Sequence, residues 1–418
     1  PLIVTNQSGS KFELKINNEE SVFIAPKSSF SIPFNIVYEA KYSIRPCLSG
    51  DEYEFSKKSF NWETLLGGPI FEKCSSVQNG SSFYYQIDAK YEEKEKLAKV
   101  FPHMMVVVSA PLKIENVLPI DVEIELLSKN TKEKIVLHLH KSESLPVHHI
   151  NLNDFVFMKL NAPSTEYVPA DYVLVASPNS SSLAVEKQIK MLKKNRTSIL
   201  KLELKYSVDR YTQTKMMKIY SPYIILNRTE RDIFIKAKGS NNIFTSKVSL
   251  QDGEYVTKPE MFSFDYKDDS NSAQIKMKDS DWSPANTLDA LEQNFDMALS
   301  IPSKTMQTEL GLHISEGLGK YSLSKLVTVS PRFIIKNEYS EDLVLGETRS
   351  IAEVVLEMNT AIPLYKMSTS SSKLCKLKFY GGNYSEPFPI GEIGTLYTKV
   401  FNKQLTKHIL LKIETVLD

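Results

Sequence analysis

The stretch "SPYIILNRTERDIFIKA", residues 221–237, places an asparagine between two runs of alternating apolar residues. Ile225 stands two residues before Asn227, and Ile233 stands six residues after it. Alternation on both sides of a short polar segment predicts two strands joined by a turn. Asparagine suits such a turn, because its amide both donates and accepts hydrogen bonds and because it tolerates left-handed backbone. The stretch therefore predicts a strand, an asparagine-centred turn and a return strand.

The same pattern recurs three more times, at a nearly constant distance. "PLIVTNQSGSKFELKI", "PLKIENVLPIDVEIEL" and "PRFIIKNEYSEDLVLG" centre on Asn6, Asn116 and Asn337, so that successive asparagines are 110, 111 and 110 residues apart. Apolar residues stand two and four positions before each asparagine and six and eight positions after it. A self-similar period of this length predicts a tandem array, and each unit has the size of a common domain. We number the predicted units repeat 1 (residues 1–110), repeat 2 (111–221), repeat 3 (222–330) and repeat 4 (331–418).

Two further strand-like segments close each of the first three repeats. The second of them runs into the proline of the next repeat, as in "MMVVVSAP", "MMKIYSP" and "LVTVSP". Repeat 4 has only 88 residues and contains the first such segment, in "HILLKIETVLD", but not the second. We therefore expect repeat 4 to lack its closing strand, and the chain to be a fragment of a larger protein cut in phase with its repeats.

Strand signals dominate the whole chain, so the fold class predicted is all-β, a tandem array of four β-sandwich-like repeats. Short helices are expected only at residues 90–100 and 181–194. Trp62 and Trp282 lie 56 and 55 residues after their asparagines, and Tyr172 holds the equivalent place in repeat 2. No aromatic residue falls there in repeat 4, so we interpret the position as a core anchor.

Composition excludes several classes of protein. Lys and Arg number 51 against 50 Asp and Glu, so no overall field favours nucleic acid or an anionic membrane. The 3 cysteines are too few for a disulfide framework, which favours a reducing, cytoplasmic compartment. No apolar run reaches the roughly 18 residues that a spanning helix needs.

Three charged or histidine-rich clusters could carry chemistry, and each occurs in one repeat only. The histidines could bind zinc, the aspartates could form a calcium loop, and the basic run could contact an anionic surface. Each has a simpler interpretation as a solvated segment, and we predict no metal site. The clusters are His138, His140, His148 and His149; Asp265, Asp268, Asp269, Asp279 and Asp281; and Lys187, Lys190, Lys193, Lys194 and Arg196.

Signatures of enzymes are absent from the sequence. "EGLGKYS" resembles a phosphate-binding loop, but Ile314 stands where the first glycine is needed and Tyr321 follows Lys320. There is no G-x-S-x-G or H-E-x-x-H motif. We predict a protein that is not an enzyme and has no cofactor.

The candidate site residues are the four repeat asparagines, Asn6, Asn116, Asn227 and Asn337. Each side chain could satisfy backbone groups at a buried turn, and it could also shape a pocket or strand edge where a peptide docks. Removing one partner of a buried amide costs about 1–3 kcal/mol. Such a loss would distort one repeat without unfolding its neighbours.

A neutral array of β-repeats with this asparagine motif resembles the adaptor-binding region of the vacuolar-protein-sorting-thirteen proteins, the chorein-type family of bridge-like lipid-transfer proteins. "IYSPYIILNRTERDIFIK" and "VSPRFIIKN" carry the resemblance most clearly. It implies a non-enzymatic domain of six repeats that binds adaptor proteins through their Pro-x-Pro motifs. It also implies a cytoplasmic protein, peripheral at organelle membranes and contact sites, with the family's asparagines at Asn6, Asn116, Asn227 and Asn337. This chain has four repeats, so the adaptor pocket could lie partly or wholly outside it.

Three hypotheses follow. An extended adaptor peptide could add to an exposed strand edge by main-chain hydrogen bonds, in a domain that is a monomer in isolation. Alternatively, the array could dock on membranes through lipid or calcium, using the acidic and basic stretches. A third possibility is a spacer, which would show no saturable peptide binding.

Overall fold

Strands form nearly all the regular structure of the chain, and this confirms the predicted all-β class. The structure is a computed structural model, and it describes residues 2–17, 19–91, 104–178, 185–194, 198–265, 271–302, 305–349, 352–370 and 372–417. The chain divides into two compact units, Pro1–Pro222 with Gly319–Leu323, and Tyr223–Leu318 with Ser324–Asp418. Repeats 1 and 2 lie in the first unit, and nearly all of repeats 3 and 4 lie in the second.

Repeat 1 is a two-sheet sandwich. Its five-stranded sheet has the order β4-β1-β8-β7-β6, and its three-stranded sheet has the order β3-β2-β5. Leu2 and Val4 from the first sheet meet Phe12 and Leu14 from the second in one buried core. The elements are β1 (Leu2–Gln7), β2 (Phe12–Ile16), β3 (Glu20–Ile24), β4 (Ser29–Ile32), β5 (Tyr42–Pro46), α1 (Trp62–Leu66), β6 (Ile70–Ser75), β7 (Ser82–Tyr91) and β8 (Met104–Ser109).

Repeat 2 has the same plan. One sheet has the order β12-β9-β17-β16-β15, and the other has the order β11-β10-β13-β14. The strands are β9 (Leu112–Asn116), β10 (Val122–Ser128), β11 (Lys134–Leu139), β12 (Ser144–Val147), β13 (Val156–Asn161), β14 (Val173–Ala176), β15 (Gln188–Leu192), β16 (Ile199–Val208) and β17 (Lys215–Tyr220).

Repeat 3 again has two main sheets, ordered β23-β18-β28-β27-β26 and β20-β19-β24-β25, with a small β21-β22 pair. The elements are β18 (Tyr223–Asn227), β19 (Ile233–Ala237), β20 (Ile243–Ser246), β21 (Val248–Gln251), β22 (Glu254–Thr257), β23 (Glu260–Phe262), β24 (Ser272–Met277), β25 (Asn286–Thr287), β26 (Gln293–Ser300), β27 (Met306–Glu316), a 3-10 helix (Gly319–Tyr321) and β28 (Lys325–Pro331).

Repeat 4 keeps the sheet β31-β30-β34-β35. Four of its other strands form two separate pairs, β29-β32 and β36-β37, and β33 pairs with β27 of repeat 3. Its core includes Leu343 and Leu345, with Phe333 and Ile335 half-buried against it. The strands are β29 (Phe333–Lys336), β30 (Leu343–Glu347), β31 (Glu353–Leu356), β32 (Ala361–Leu364), β33 (Lys366–Ser368), β34 (Leu374–Phe379), β35 (Phe388–Pro389), β36 (Gly394–Asn402) and β37 (Lys407–Thr415).

Opening and closing strands of one repeat lie side by side and run parallel. β1 pairs with β8, β9 with β17, and β18 with β28. Among the described residues of repeat 4, β29 pairs with β32 alone, and no strand takes the closing place beside it.

The two strands of the asparagine motif do not pair with each other. β1 and β2 lie in different sheets of repeat 1, and the same is true of β9 with β10, β18 with β19, and β29 with β30. The expected return strand therefore crosses to the opposite sheet instead of forming a hairpin. A hairpin within one sheet and two strands in facing sheets both give period-two alternation, because in either arrangement both strands direct their apolar residues into the shared core.

The helix predicted at 181–194 is wrong where the structure describes it, since residues 188–192 form β15. Ile189 and Met191 are buried and alternate with exposed neighbours, so the strand period decides the structure. Most of the helix predicted at 90–100 lies outside the described residues. No helix in the described part of the chain is long and apolar enough to cross a membrane.

Candidate functional site

Asn6 is fully buried, and its amide makes hydrogen bonds in three directions. Nδ2 donates to the carbonyl oxygens of Ser10, at 2.8 Å, and Ile24, at 2.9 Å. Oδ1 accepts from the backbone N–H of Ser8 at 3.0 Å. Because Ile24 ends β3, the amide ties the crossing loop to the strand that pairs with β2.

The other three asparagines make the same set of contacts. Each donates to the carbonyl of the fourth residue after it and to the last residue of the third strand, and each accepts from the N–H of the second residue after it. For Asn116 the three distances, in that order, are 2.8 Å to Ile120, 3.3 Å to Leu139 and 3.1 Å to Leu118. For Asn227 they are 2.9 Å to Arg231, 3.5 Å to Ser246 and 2.9 Å to Thr229. For Asn337 they are 2.9 Å to Glu341, 2.8 Å to Leu356 and 2.9 Å to Tyr339.

The aspartate of the motif secures the same strand end. Asp121, Asp232 and Asp342 accept hydrogen bonds from the backbone N–H two residues beyond that end, at 2.8, 2.7 and 2.8 Å. Repeat 1 has Lys11 instead, and its ammonium group lies 4.6 Å from the ring centre of Phe23. We call residues 6–11, 116–121, 227–232 and 337–342 the asparagine turns. Since the asparagine amides bond inside their own repeats, their effect on a ligand would act through the shape of these turns.

In the first unit, the asparagine turn of repeat 1 receives a segment of repeat 2. His148 directly follows β12, and its Nε2 lies 2.7 Å from the carbonyl oxygen of Ser8. Its Nδ1 lies 2.9 Å from the carbonyl oxygen of Tyr84, whose backbone N–H donates to the His148 carbonyl at 2.7 Å. The imidazole also stacks on Phe83, with ring centres 4.2 Å apart.

A proline of the same segment packs on the same turn. Gly9 has a φ of +84°, and a Cβ atom at this position would lie 3.1 Å from Cγ of Pro146. Glycine is therefore favoured there both by the left-handed backbone and by the close approach of the proline. The asparagine turn of repeat 1 is thus a surface that holds a proline followed two residues later by a histidine.

In the second unit, repeat 4 docks on repeat 3 in the same way. Tyr365 directly follows β32, and its hydroxyl accepts a hydrogen bond from the Glu230 N–H at 2.9 Å. The Arg231 guanidinium lies 4.5 Å from the centre of the tyrosine ring. The Glu309 N–H donates to the Tyr365 carbonyl at 2.8 Å, and β33 then pairs with β27. "SLPVH" and "AIPLY" are therefore equivalent segments, each seated on the asparagine turn of the preceding repeat.

A buried carboxylate fastens this second interface. Glu309 has a fully buried side chain, and it accepts hydrogen bonds from Lys373 at 2.7 Å and Arg332 at 2.8 Å. Burial alone would raise the pKa of Glu309, but the hydrogen bonds from Lys373, Arg332 and Gln307 outweigh it and hold that pKa below its ordinary value. The network joins β27 of repeat 3 to two cationic residues of repeat 4.

In the part of the chain that the structure describes, the four histidines of the first cluster fall into two differently placed pairs. His138 and His140 are exposed and pair with Glu123 and Asp121, whereas His148 and His149 face backbone carbonyls. The residues the structure describes contain no group of three His, Cys, Asp or Glu that could hold a metal ion.

One residue of the acidic stretch and one of the basic stretch have local partners. Asp265 accepts hydrogen bonds from Ser240 and Asn242, and Lys193 pairs with Glu166 at 3.1 Å. Asp268, Asp269 and Arg196 lie outside the described residues.

An aromatic ring over cationic side chains recurs on the second sheet of every repeat, and the sequence did not reveal it. Trp282 was expected in the core but is only half-buried, 4.6 Å from the ammonium of Lys236. Tyr172 is 42% exposed, so the core-anchor interpretation is wrong for it, whereas Trp62 does pack against the core. In repeat 4 the ring is that of Tyr384, which lies 47 residues after Asn337 and therefore not at the position of the tryptophans. The cation-to-ring distances are 4.5 Å for Arg45–Phe55, 5.6 Å for Lys159–Tyr172, and 4.3 and 4.5 Å for Lys376 and Lys378 over Tyr384.

The His148 interface should weaken in mild acid. Burial lowers the pKa of His148 to about 4, whereas an unfolded histidine titrates near about 6.5. Because the unfolded state then binds the proton first, stability is lost as pH falls from about 6.5 toward 4, by up to about 3 kcal/mol. We expect the first unit to unfold at a lower temperature at pH 5 than at pH 7.

Thermal unfolding of the intact chain and of His148→Gln across this pH range measures the effect. His138→Gln is the matched control, because that side chain is 70% exposed. If His148→Gln kept the full pH dependence of the parent, the assignment to His148 would be wrong.

Comparison with known proteins places the whole chain in one group. The family model described as "Vacuolar-sorting associated protein 13, adaptor binding domain" matches residues 1–418. Intermembrane lipid transfer protein VPS13 of Chaetomium thermophilum is 28% identical over 96% of this chain and 13% of its own length. VPS13A of Mus musculus is 21% identical over 85% of the chain and 11% of its length, and Vps13D of Drosophila melanogaster is 20% identical over 91% and 10%. The chain thus spans 10% to 13% of the length of these relatives.

Proposed function

The chain belongs to the family of the vacuolar-sorting associated protein 13 adaptor binding domain, and we propose that it docks Pro-x-Pro peptides of adaptor proteins by β-strand addition. In this proposal, docking localises a lipid-transfer protein at organelle contact sites. The domain acts from the cytoplasm, as a monomer and without catalysis or a cofactor. Its partners are adaptor proteins on organelle membranes, and it binds no nucleic acid.

The observation that carries the proposal is the way repeat 4 attaches to repeat 3. The chain passes from Pro363 in β32 through Tyr365 into β33, which adds to β27 as an antiparallel strand. Repeat 2 makes the corresponding backbone bond between His148 and Tyr84 of repeat 1. The array thus already binds proline-bearing extended segments by main-chain hydrogen bonds, and an adaptor peptide would use the same chemistry.

The spacing of a Pro-x-Pro motif suits this mode of binding. Backbone N–H groups of a strand point alternately to its two sides, so prolines two residues apart remove donors from one side only. The residue between them keeps its N–H and C=O for the host edge. Edge strands tolerate proline for the same reason, as Pro146 in β12 and Pro363 in β32 show.

The membrane-docking alternative has less support. Calcium loops need carboxylates turned toward an open site, but Asp265 is bonded to Ser240 and Asn242. Lys187, Lys190 and Lys194 are exposed, but three cations supply only a weak attraction for an anionic surface.

Saturable binding of a fluorescent Pro-x-Pro peptide to the intact chain, in the absence of lipid and calcium, is the expected result. The measurement is fluorescence anisotropy, repeated with the four variants Asn6→Ser, Asn116→Ser, Asn227→Ser and Asn337→Ser. Loss of binding in one variant alone would place the pocket at that repeat. An Ala-x-Ala peptide is the control for the prolines.

N-methylation of the residue between the prolines tests strand addition itself, because it removes the N–H that would pair with the host edge. Unchanged affinity of the methylated peptide would exclude strand addition. Failure of the unmodified peptide to bind would contradict the function proposed for this chain, and binding to liposomes alone would favour the membrane alternative.

A further inference from the structure

The aromatic ring on the second sheet of repeat 3 is surrounded by positive charge alone. The ammonium groups of Lys236 on β19 and Lys276 on β24 lie 4.6 Å and 5.2 Å from the ring centre of Trp282. Lys276 also lies 5.7 Å from the ring centre of Phe234. We call these four residues the cationic cluster. Among the described residues, no carboxylate pairs with either ammonium, so the repulsion between the two like charges is not compensated.

In each of the other three repeats, a carboxylate from the same repeat completes the equivalent arrangement. The clearest case is repeat 4, where Glu353 accepts hydrogen bonds from Lys378 at 2.6 Å and from the Tyr384 hydroxyl at 2.7 Å. The acid thus joins the cation to the polar group of the aromatic side chain. The corresponding contacts are those of Glu13 with Arg45, at 2.6 Å in repeat 1, and of Glu125 with the Tyr172 hydroxyl in repeat 2.

The strand register shows why repeat 3 has no such acid. In repeat 4, Glu353 lies on β31 opposite Gly346, which is the ninth residue after the asparagine. In repeat 3, the ninth residue after the asparagine is Lys236, and the residue opposite it on β20 is Ile243. Ile243 is 37% exposed. Repeat 3 therefore has an apolar side chain where repeat 4 has its carboxylate.

We propose that the cationic cluster of repeat 3 is a docking site for an acidic segment of a partner protein, whose Glu or Asp carboxylate pairs with Lys236 and Lys276. The partner's acid takes the place that Glu353 has in repeat 4. The indole N–H of Trp282, which has no acceptor among the described residues, corresponds to the tyrosine hydroxyl as a donor. This site goes beyond the proposed function, because it needs neither proline nor strand addition.

The repeats of this chain attach to one another through other surfaces. Repeat 2 contacts the asparagine turn of repeat 1 and β7, and repeat 4 contacts the asparagine turn of repeat 3 and β27. Both β7 and β27 belong to the first sheet of their repeat, whereas the cationic cluster lies on the second sheet. Repeat 4 is thus docked on repeat 3 and leaves the cluster open. The acid that completes it is therefore expected from outside the array.

The size of the cluster favours an acidic segment over an anionic membrane. Lys236 and Lys276 are half-buried beside their rings. Attraction to a lipid surface typically needs a cluster of about four to eight exposed cations. Two cations beside one indole suit a single carboxylate instead, because charge-assisted hydrogen bonds are short and directional. Phe234 and Ile243 offer apolar contacts, so an acidic residue with apolar neighbours fits best.

The probe is the peptide GSEVEVEGS, titrated into the intact chain at low salt and followed by calorimetry. Its control, GSQVQVQGS, has the same length and nearly the same shape without the carboxylates. We expect saturable binding of the acidic peptide, at least about tenfold tighter than that of the control and weaker at high salt. No saturable binding of the acidic peptide, or equal binding of the two peptides, would overturn the proposal.

Replacing either lysine of the cluster by Gln tests the assignment to these side chains. We expect Lys236→Gln and Lys276→Gln each to weaken the acidic peptide by about fivefold. Lys258→Gln is the matched control, because Lys258 is exposed in the same repeat but lies between β22 and β23, outside the second sheet. Equal effects of the three variants would mean that the overall charge, and not the cluster, binds the peptide.

The decisive variant is Ile243→Glu, with Ile243→Gln as its matched control. Ile243→Glu gives repeat 3 the acid that repeat 4 already has, and this carboxylate should pair with the lysines and compete with the peptide. We expect Ile243→Glu to weaken the peptide by more than about tenfold, and Ile243→Gln by no more than about twofold. If the two variants bound the peptide equally well, the cationic cluster would not be the site.

Two further measurements separate this site from its alternatives. Binding of the chain to phosphatidylserine vesicles that Ile243→Glu abolishes, without binding of the acidic peptide, would make a membrane the occupant and overturn the proposal. A Pro-x-Pro peptide should bind Ile243→Glu and the parent chain equally well, whether or not the acidic peptide binds. Loss of Pro-x-Pro binding in Ile243→Glu, but not in Ile243→Gln, would place the adaptor peptide on the cluster and overturn the claim of a separate site.

Discussion

Replacing Glu309 by Gln is expected to lower the free energy of unfolding of the second unit by about 3 kcal/mol. Glu309 is fully buried, and its carboxylate is shared by Lys373 and Arg332 of repeat 4. The amide would keep the volume but remove the charge, which leaves the nearly buried Lys373 ammonium without its partner. Such a loss is large because an unpaired charge in the interior has neither water nor a counter-ion to stabilise it.

Chemical denaturation of the intact chain measures the change in the free energy of unfolding, and segment-resolved hydrogen exchange of the native protein shows where it acts. The expected signature is loss of protection in β27 and β33, whose pairing the network supports. Glu338→Gln is the matched control, because its pair with Lys336 is exposed on both sides and should contribute little to stability. Equal effects of the two variants would contradict the role given to Glu309.

The pH dependence of Glu309→Gln follows from the depressed pKa of Glu309. A carboxyl whose folded pKa is lowered stabilises the protein above its unfolded pKa, near about 4.3, and loses that contribution as pH falls through the folded pKa. The difference between Glu309→Gln and the parent should therefore be full at pH 7 and should shrink below about pH 4.

The period of the asparagines was enough to predict an all-β array, because alternation on both sides of a fixed polar residue leaves few other interpretations. It was not enough to predict which strands pair. β1 and β2 alternate as a hairpin would, yet they lie in opposite sheets, and only the pairing of each strand distinguishes the two arrangements. The sequence around Ile189 shows the same limit, since a charged strand in a long connection resembles a short amphipathic helix.

The docking of one repeat on the next was beyond sequence analysis for a different reason. His148 meets Ser8 and Tyr365 meets Glu230 across 140 and 135 residues of sequence. Both contacts attach a repeat to the asparagine turn of the preceding repeat, but one uses an imidazole and the other a phenol. Pro146 and Pro363, two residues before His148 and Tyr365, were visible in the sequence. Gly9, which Pro146 contacts in repeat 1, was not marked by any repeated feature.

Asn6→Asp is the substitution for which we expect the other large loss, about 4 kcal/mol at neutral pH. The side chains have nearly the same shape, but Nδ2 becomes an oxygen that faces the carbonyl oxygens of Ser10 and Ile24. Two donated hydrogen bonds become two repulsive contacts, and a full charge is buried at a site with no exposure. Asn6→Ala loses the same bonds without the charge, so its cost should be smaller, about 2 kcal/mol.

Acid distinguishes the two variants. Burial among carbonyl oxygens raises the pKa of the introduced carboxyl above its unfolded value, near about 3.9, so protonation relieves the penalty as pH falls. The protonated group can also donate one hydrogen bond to Ser10 or Ile24. Denaturant unfolding should therefore show that the difference in the free energy of unfolding between Asn6→Asp and Asn6→Ala shrinks toward pH 4. At pH 7, hydrogen exchange should show loss of protection in Asn6→Asp that is confined to β1, β2 and β3. A gap that does not change with pH would mean that the shape of the turn, and not the direction of the amide's hydrogen bonds, holds the two sheets of the repeat together.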